Sequence, residues 1–268
     1  MKLLDLTWPL PAENLAGDEA LLDAAEAGEN GEVLRFWESP QPFVVVGYAN
    51  KVATEVNVAA CEARDIPILR RCTGGGTVVQ GPGCLNYALV LRIEAAGPTR
   101  SISAANHFIM ERNRVAVETL LRSSRREEAQ TKSPAPTPDR RFDPSRLASA
   151  AAARIEIRGH TDLTLAGLKF SGNSQRRRRQ FLLFHGTFLL NFDLPLVSEL
   201  LRMPSQQPDY RQSRAHEEFL TNLNCPAEPV KSALCKSWGA TTKARPPAPP
   251  NLRALAEKYS STDWNRKF

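Results

Sequence analysis

The chain has 268 residues, 42% of them apolar and 24% charged, with 35 basic residues against 29 acidic ones and a formal net charge of +6. That is ordinary globular composition with enough length for a real core, and the surplus of positive charge suits an anionic small molecule, an acidic protein or nucleic acid alike. No apolar run approaches the roughly 20 residues that span a bilayer. The opening "MKLLDLTWPLPAENLAGDEA" is broken by Asp5, Pro9 and Pro11 and does not read as a signal peptide, so a cytoplasmic location is expected and no membrane partner.

Residues 13–29 read as an amphipathic helix with an acidic face. "GEVLRFWES" and "PFVVVGY" follow as strands around the turn "SPQP", and "EVNVAACEARD" has helical spacing. "IPILRR" predicts a strand entering a glycine-rich stretch and "NYALVLRIE" a strand leaving it. "SISAANHFIMERNRVAVETLLRSS" predicts a long helix with Ser103 as a cap. Residues 122–153 are rich in Ser, Pro, Ala and Arg and poor in large apolar side chains, which predicts a flexible surface insertion open to trypsin at 125–150. "ARIEIRG", "DLTLAGLKFSG" and "FLLFHGTFLLNFD" read as three strands, with hairpins through "AG" and "GNSQRRRRQ". Helices are expected in "LPLVSELLRMP", "AHEEFLTNL" and "NLRALAEKY". The mixture predicts an α+β fold of mostly antiparallel strands with flanking helices, in one domain over 1–268 and without a repeat.

The five cysteines, Cys61, Cys72, Cys84, Cys225 and Cys235, are odd in number and show no C-x-x-C spacing. They read as reduced, mostly buried thiols rather than a disulfide scaffold or a zinc site.

Three stretches carry chemistry. In "LRRCTGGGTVVQGPGCLNYALVL", residues 69–91, Gly74, Gly75 and Gly76 let backbone amides approach a ligand, and Arg70 and Arg71 add fixed charge with a fork suited to phosphate or carboxylate. The stretch is neither a Walker loop nor a dinucleotide fingerprint, and a lone G-G-G also suits a plain hairpin connector. In "GHTDLTLAGLKFSGNSQ", alternation puts Lys169 on one face with Gly167 and Ser171, opposite Leu168 and Phe170, with space around the ammonium. In "FHGTFLLNFDL", His185, Gly186 and Thr187 interrupt an apolar strand, which is costly unless the polar groups are hydrogen-bonded.

Together, "RRCTGGGTVVQGPGCLNY", "TDLTLAGLKFSGNSQ" and "HGTFLLNFDL" resemble, in order, the successive motifs of lipoate–protein ligases, within the superfamily of biotin and lipoate protein ligases and octanoyltransferases. The resemblance runs from about residue 30 to 225 and implies that family's catalytic fold, with no second, small accessory domain matched. It implies that Arg70 or Arg71 contacts the phosphate of an acyl-adenylate while Gly74, Gly75, Gly76 and Thr77 wrap the acyl group. It further implies that Lys169 is catalytic and meets the acyl carbonyl and phosphate. Asn86, Asp162, Ser171, Gly172, His185, Gly186 and Thr187 would line the same pocket. The implied activity is attachment of a lipoyl or octanoyl group to a specific lysine of a carrier domain, such as that of a 2-oxoacid dehydrogenase or a glycine-cleavage protein. A ligase would use ATP and Mg²⁺, with lipoate or octanoate as substrate, and a separate accessory subunit is a further partner to consider. No residue is singled out as a metal ligand.

The chain departs from the pattern at Gln80, where many family members carry histidine, and at "GPG", residues 81–83, which is more similar to octanoyltransferases. A transferase passing the acyl group through a cysteine needs a thiol in the pocket, and residues 122–153, where some transferases place it, contain none. A non-catalytic paralogue that keeps the pocket is a third reading. The run "QRRRRQ", residues 175–180, reads as a solvated hairpin tip or a docking surface for an acidic carrier domain. Without interleaved aromatic residues or a nucleic-acid motif, nucleic acid is not the expected partner.

Overall fold

The computed structural model describes residues 1–131 and 154–268. Along the first segment run β1 (Lys2–Asp5), α1 (Pro11–Glu26), β2 (Val33–Trp37), β3 (Phe43–Val46), α2 (Val52–Glu55), α3 (Val58–Ala63), β4 (Ile68–Arg70), β5 (Val78–Gln80), β6 (Cys84–Arg92) and α4 (Ile102–Thr131). The second holds β7 (Ile155–Arg158), β8 (Asp162–Leu165), β9 (Leu168–Arg177), β10 (Phe181–Leu189), α5 (Pro195–Leu200), α6 (His216–Phe219), α7 (Ala227–Trp238), β11 (Thr242–Lys243), α8 (Pro249–Ser260) and α9 (Thr262–Asn265). Among the described residues no helix is long and apolar enough to cross a membrane.

The described strands form an eight-stranded sheet in the order β11-β1-β2-β6-β10-β9-β8-β7 and a three-stranded sheet, β4-β3-β5. β1 is parallel to β2 and β11, and every other pair in the large sheet is antiparallel. The α+β expectation holds. The period-2 alternation of the long strands explains the layering. Leu34, Phe36, Tyr87, Leu89, Phe184 and Phe188 face the core shared with α4 and α7, whereas Val33, Trp37, Ala88, Val90 and Leu183 face α1 and the small sheet.

The hairpin expected through "AG" is present: Ala166 and Gly167 both take positive φ (51° and 76°) in a two-residue turn that splits "DLTLAGLKFSG" into β8 and β9. Three details differ from the sequence reading. β9 continues through "SGNSQRR", so the next turn is shorter than expected. α4 runs on to Thr131, past the expected start of the insertion at 122; the rest of that insertion, and most of the trypsin-sensitive stretch, lies outside the described residues. The acidic side of α1 is not solvated: Asp18 and Glu19 are buried with most of the helix, between the large sheet and α8.

The same acidic row accounts for the arginine run. Arg176 reaches Glu19 at 3.3 Å and Arg178 reaches Asp23 at 2.8 Å, while Arg177 donates to the Thr99 and Arg100 carbonyls. Glu26 accepts from the backbone amides of Gln180 and Phe181. Three of the four arginines therefore hold the β9–β10 hairpin to its own fold rather than presenting a free basic tip.

Candidate functional site

Register places the site. Asn86 on β6, Thr187 on β10, Gly172 on β9 and Asp162 on β8 are successive cross-strand partners, so their side chains share one row on the face away from α4. Gly172 leaves a gap in that row, and Lys169 fills it: a Cβ on Gly172 would lie 2.8 Å from both Lys169 Cε and Nζ. Lys169 can reach this face because the ladder skips Phe170, with Leu163 opposite Ser171 but Thr164 opposite Lys169. Its ammonium pairs with Asp162 Oδ1 at 2.8 Å and keeps part of its surface exposed. Asp162 Oδ2 accepts from Tyr210 Oη at 2.7 Å. Burial, then the neighbouring carboxylate, pushes the Tyr210 phenol up, so it stays a donor.

One step along the strands, Arg35, Ala88, His185 and Ser174 form the next row on that face. The buried carboxylate of Asp18 accepts from Arg35 and faces His185 Nδ1 at 2.9 Å. A carboxylate held by arginine only accepts, so Nδ1 carries the proton. His185 Nε2 meets Thr73 Oγ1 at 2.7 Å, and Thr73 also meets Ser174 Oγ at 2.8 Å. The chain Arg35–Asp18–His185–Thr73 thus ties α1, β2 and β10 to the start of the glycine loop. Burial alone pushes Arg35 down to about 10 despite its carboxylate, which leaves it a cation at neutral pH.

The two loop arginines divide their work. Arg71 wraps the loop around itself, donating from Nε to Thr73 Oγ1 at 3.0 Å and from Nη2 to the Gly76 carbonyl at 2.7 Å. Burial pushes it down to about 10, and among the described residues no carboxylate pairs with it. Gly75 takes φ 85°, and its carbonyl would lie 2.0 Å from a Cβ on Gly47, so both positions need glycine. Asn50 Nδ2 holds that carbonyl at 3.2 Å and Thr77 Oγ1 at 3.3 Å. Around Gly74 and Gly76 the backbone borders open space, which leaves the loop rim open to a ligand. Arg70 is different. Its guanidinium is fully buried and donates to the carbonyls of Gly47, Tyr48, Asn50, Trp264 and Asn265. The structure gives Arg70 the task of clamping the 47–50 loop and α9 against β4, with no donor pair turned to an anion.

Two further expectations are corrected by strand parity. Gly186 and Ser171 point to the α4 side, not to the Lys169 side. Gly186 makes room there for Asn173, which accepts from Tyr87 Oη at 2.6 Å and donates to Ser171 Oγ at 3.3 Å. Lys169, Asp162, Gly172, Thr187 and Asn86 are brought together, and His185 joins them one row away. The sequence reading missed Asp18, Arg35, Thr73, Ser174 and Tyr210. An arginine amid "VLRFW" was the available signal for Arg35, since a charge in a buried strand needs a partner.

No thiol lies in this site among the described residues. Cys61 and Cys84 are fully buried in the apolar cluster between the small sheet and α5. Cys72 sits behind the loop, pushed up to about 11 by burial and Glu19. Cys225 and Cys235 pack at the edge of the α4-side core, and burial pushes both thiols up. Nor does any group of three or more His, Cys, Asp or Glu side chains among the described residues suit a metal ion.

Residues 10–233 match the family described as the lipoyl protein ligase A/B catalytic domain. Octanoyltransferase LipM of Kyrpidia tusciae is 29% identical over 269 residues, covering 95% of this chain and 94% of that protein. LipM of Symbiobacterium thermophilum is 30% identical over 250 residues, covering 91% and 85% respectively. Among solved structures, the fold is similar to that of a bi-partite lipoate protein ligase from Thermoplasma acidophilum (TM-score 0.72, 19% identity, 99% of this chain and 95% of that one). It is also similar to lipoate-protein ligase A bound with ATP (TM-score 0.69, 22% identity, 99% and 98%).

Proposed function

The chain belongs to the lipoyl protein ligase A/B catalytic-domain family, and we propose that it joins a lipoyl or octanoyl group to a carrier-domain lysine through an acyl-adenylate, with no cysteinyl intermediate. The observation that carries this reading is the absence of a thiol beside Lys169 among the described residues, together with the absence of any cysteine from residues 132–153. A thioester route needs a thiolate, and burial holds each of the five thiols above its ordinary range.

In this reading the acyl chain lies under the glycine loop, and Lys169, braced by Asp162, meets the carbonyl oxygen. As the neutral lysine amine attacks, the C–N bond forms and the carbonyl oxygen gains negative charge, which the ammonium stabilises in place. Collapse breaks the carbon–oxygen bond to phosphate, AMP leaves with the electron pair, and the amine's surplus proton passes to water. Asp162 is already committed to Lys169 and Tyr210, so Mg²⁺ arriving with ATP would be held by phosphate oxygens, and no step here is assigned to it. The acceptor would be the lipoyl carrier domain of a 2-oxoacid dehydrogenase or a glycine-cleavage protein.

The LipM relatives favour a second reading, ATP-independent transfer from an acyl donor. One assay separates the two. Purified protein is given octanoate or lipoate with ATP and Mg²⁺, or an octanoyl thioester without ATP, and an apo carrier domain is followed by intact mass. Modification that needs ATP, releases pyrophosphate and survives replacement of all five cysteines supports the adenylate route. Transfer from the thioester alone, through a hydroxylamine-sensitive acyl-enzyme, refutes it. Binding without transfer from either donor, even with an accessory subunit added, points to a non-catalytic paralogue.

A further inference from the structure

Gln80 ends β5 with only 6% of its surface exposed. Its Nε2 donates to Thr187 Oγ1 at 2.6 Å, and Thr187 passes its own proton to Asn86 Oδ1 at 2.6 Å. The other end of the same amide, Oε1, is buried and accepts no hydrogen bond from the described residues. An unpaired buried acceptor costs about 1–3 kcal/mol, a cost that a donor arriving with the reaction would remove. Thr187 is the cross-strand neighbour of Gly172, over which Lys169 lies, and adjacent strands are only about 4.8 Å apart. Gln80 is therefore joined through Thr187 to the row in which the acyl carbonyl would meet Lys169.

Among the reacting groups, the carbonyl and phosphate oxygens are acceptors and cannot satisfy Gln80. The ribose hydroxyls and adenine amine lie beyond the phosphate from the reacting carbon. The attacking amine carries N–H at that carbon. We propose that Gln80 Oε1 is the acceptor that positions the incoming lysine amine of the carrier. This rests on the reading of Lys169 as the group that meets the acyl oxygen. The neutral amine gives one N–H to Oε1 and keeps its lone pair for the carbonyl carbon. An amide cannot take the surplus proton, so Gln80 orients the nucleophile while the proton still leaves to water. The same contact serves whether the leaving group is a phosphate or a thiol.

The test uses the full chain, an apo lipoyl domain as acceptor, and both octanoyl-adenylate and an octanoyl thioester as donors. With the donor that the wild type accepts, Gln80→Leu is expected to lower kcat/KM for the acceptor by about tenfold or more, the worth of one such hydrogen bond. Octanoate binding, read by calorimetry, should change less than about twofold. Gln80→His keeps a ring nitrogen as acceptor, so it should restore transfer above about pH 7 and lose it below about pH 6, as the imidazole protonates. A Leu variant with wild-type acceptor kinetics overturns the proposal, because transfer would then proceed equally well with no acceptor at this position. If the Leu variant fails to fold, a His variant with a wild-type pH profile overturns it equally. A wild type that uses only the thioester refutes the adenylate route and still reports on Gln80 through that donor.

Discussion

Asn173 Oδ1 occupies the space that a side chain on Gly186 would need, 1.6 Å from where its Cβ would stand. Gly186 is thus a packing requirement of the α4 side. Asn173 links through Tyr87 to Asn113, and Asn113 accepts from Trp238 Nε1 at 2.8 Å. Gly186→Ala is expected to turn Asn173 away, unpair part of this buried network and cost about 2–4 kcal/mol. Urea unfolding measures it; a midpoint within experimental error of the wild type would show that Asn173 repacks freely.

Lys169→Ala removes the cation assigned to the developing oxyanion. Transfer should fall by about 10²–10³, with little change in thermal midpoint, because its partner Asp162 keeps the hydrogen bond from Tyr210. Carrier modification at the wild-type rate would take Lys169 out of the mechanism.

Arg70 holds the 47–50 loop and α9 together. Lysine at this position keeps the charge but loses the planar fork that serves several carbonyls at once. Arg70→Lys should lower stability by about 2–4 kcal/mol and speed amide exchange at residues 262–265. Acyl-ligand binding should weaken only through the loosened loop. Unchanged exchange in α9 would contradict the clamp.

Burial, assisted by Arg211, pushes the His216 imidazole down to about 4, against about 6.5 in an unfolded chain. Between those values the unfolded chain binds a proton that the folded chain refuses. Stability therefore rises with pH across the window and is lost as pH falls from about 6.5 toward 4. The thermal midpoint should drop on going from about pH 7 to about pH 5, and His216→Gln should flatten that drop by about 2–4 °C. A wild type and variant with parallel pH profiles would show that His216 titrates freely in the fold.

The strands and the cluster around Lys169 were legible because they rest on local pattern. Alternation in "NYALVLRIE" and "FLLFHGTFLLNFD" sets the two core faces, and the polar breaks at Asn86 and Thr187 then fall in register. What was not legible depends on residues far apart in the chain. Whether Asp18 and Glu19 face water or the interior is decided by Arg35, Arg176 and Lys258. Which of Arg70 and Arg71 stays beside the loop is decided by Trp264 and Asn265, nearly 200 positions away. Ser171 was misplaced for a subtler reason: alternation assumes an unbroken ladder, and the ladder skips Phe170.

That skipped residue makes the continuity of the strand ladder itself a determinant of the site. Between Lys169 and Gly172 the count of intervening residues is even, so regular pleating would send the two to opposite faces. The bulge at Phe170 restores common parity and lets the lysine lie over the glycine. Substitutions at Phe170 alter packing, but the parity survives them. Without the bulge, the two residues between Lys169 and Gly172 would carry the ammonium toward the apolar α4-side core, without changing the identity of any site residue. Lys169 therefore owes its place over Gly172 as much to the bulge as to being a lysine.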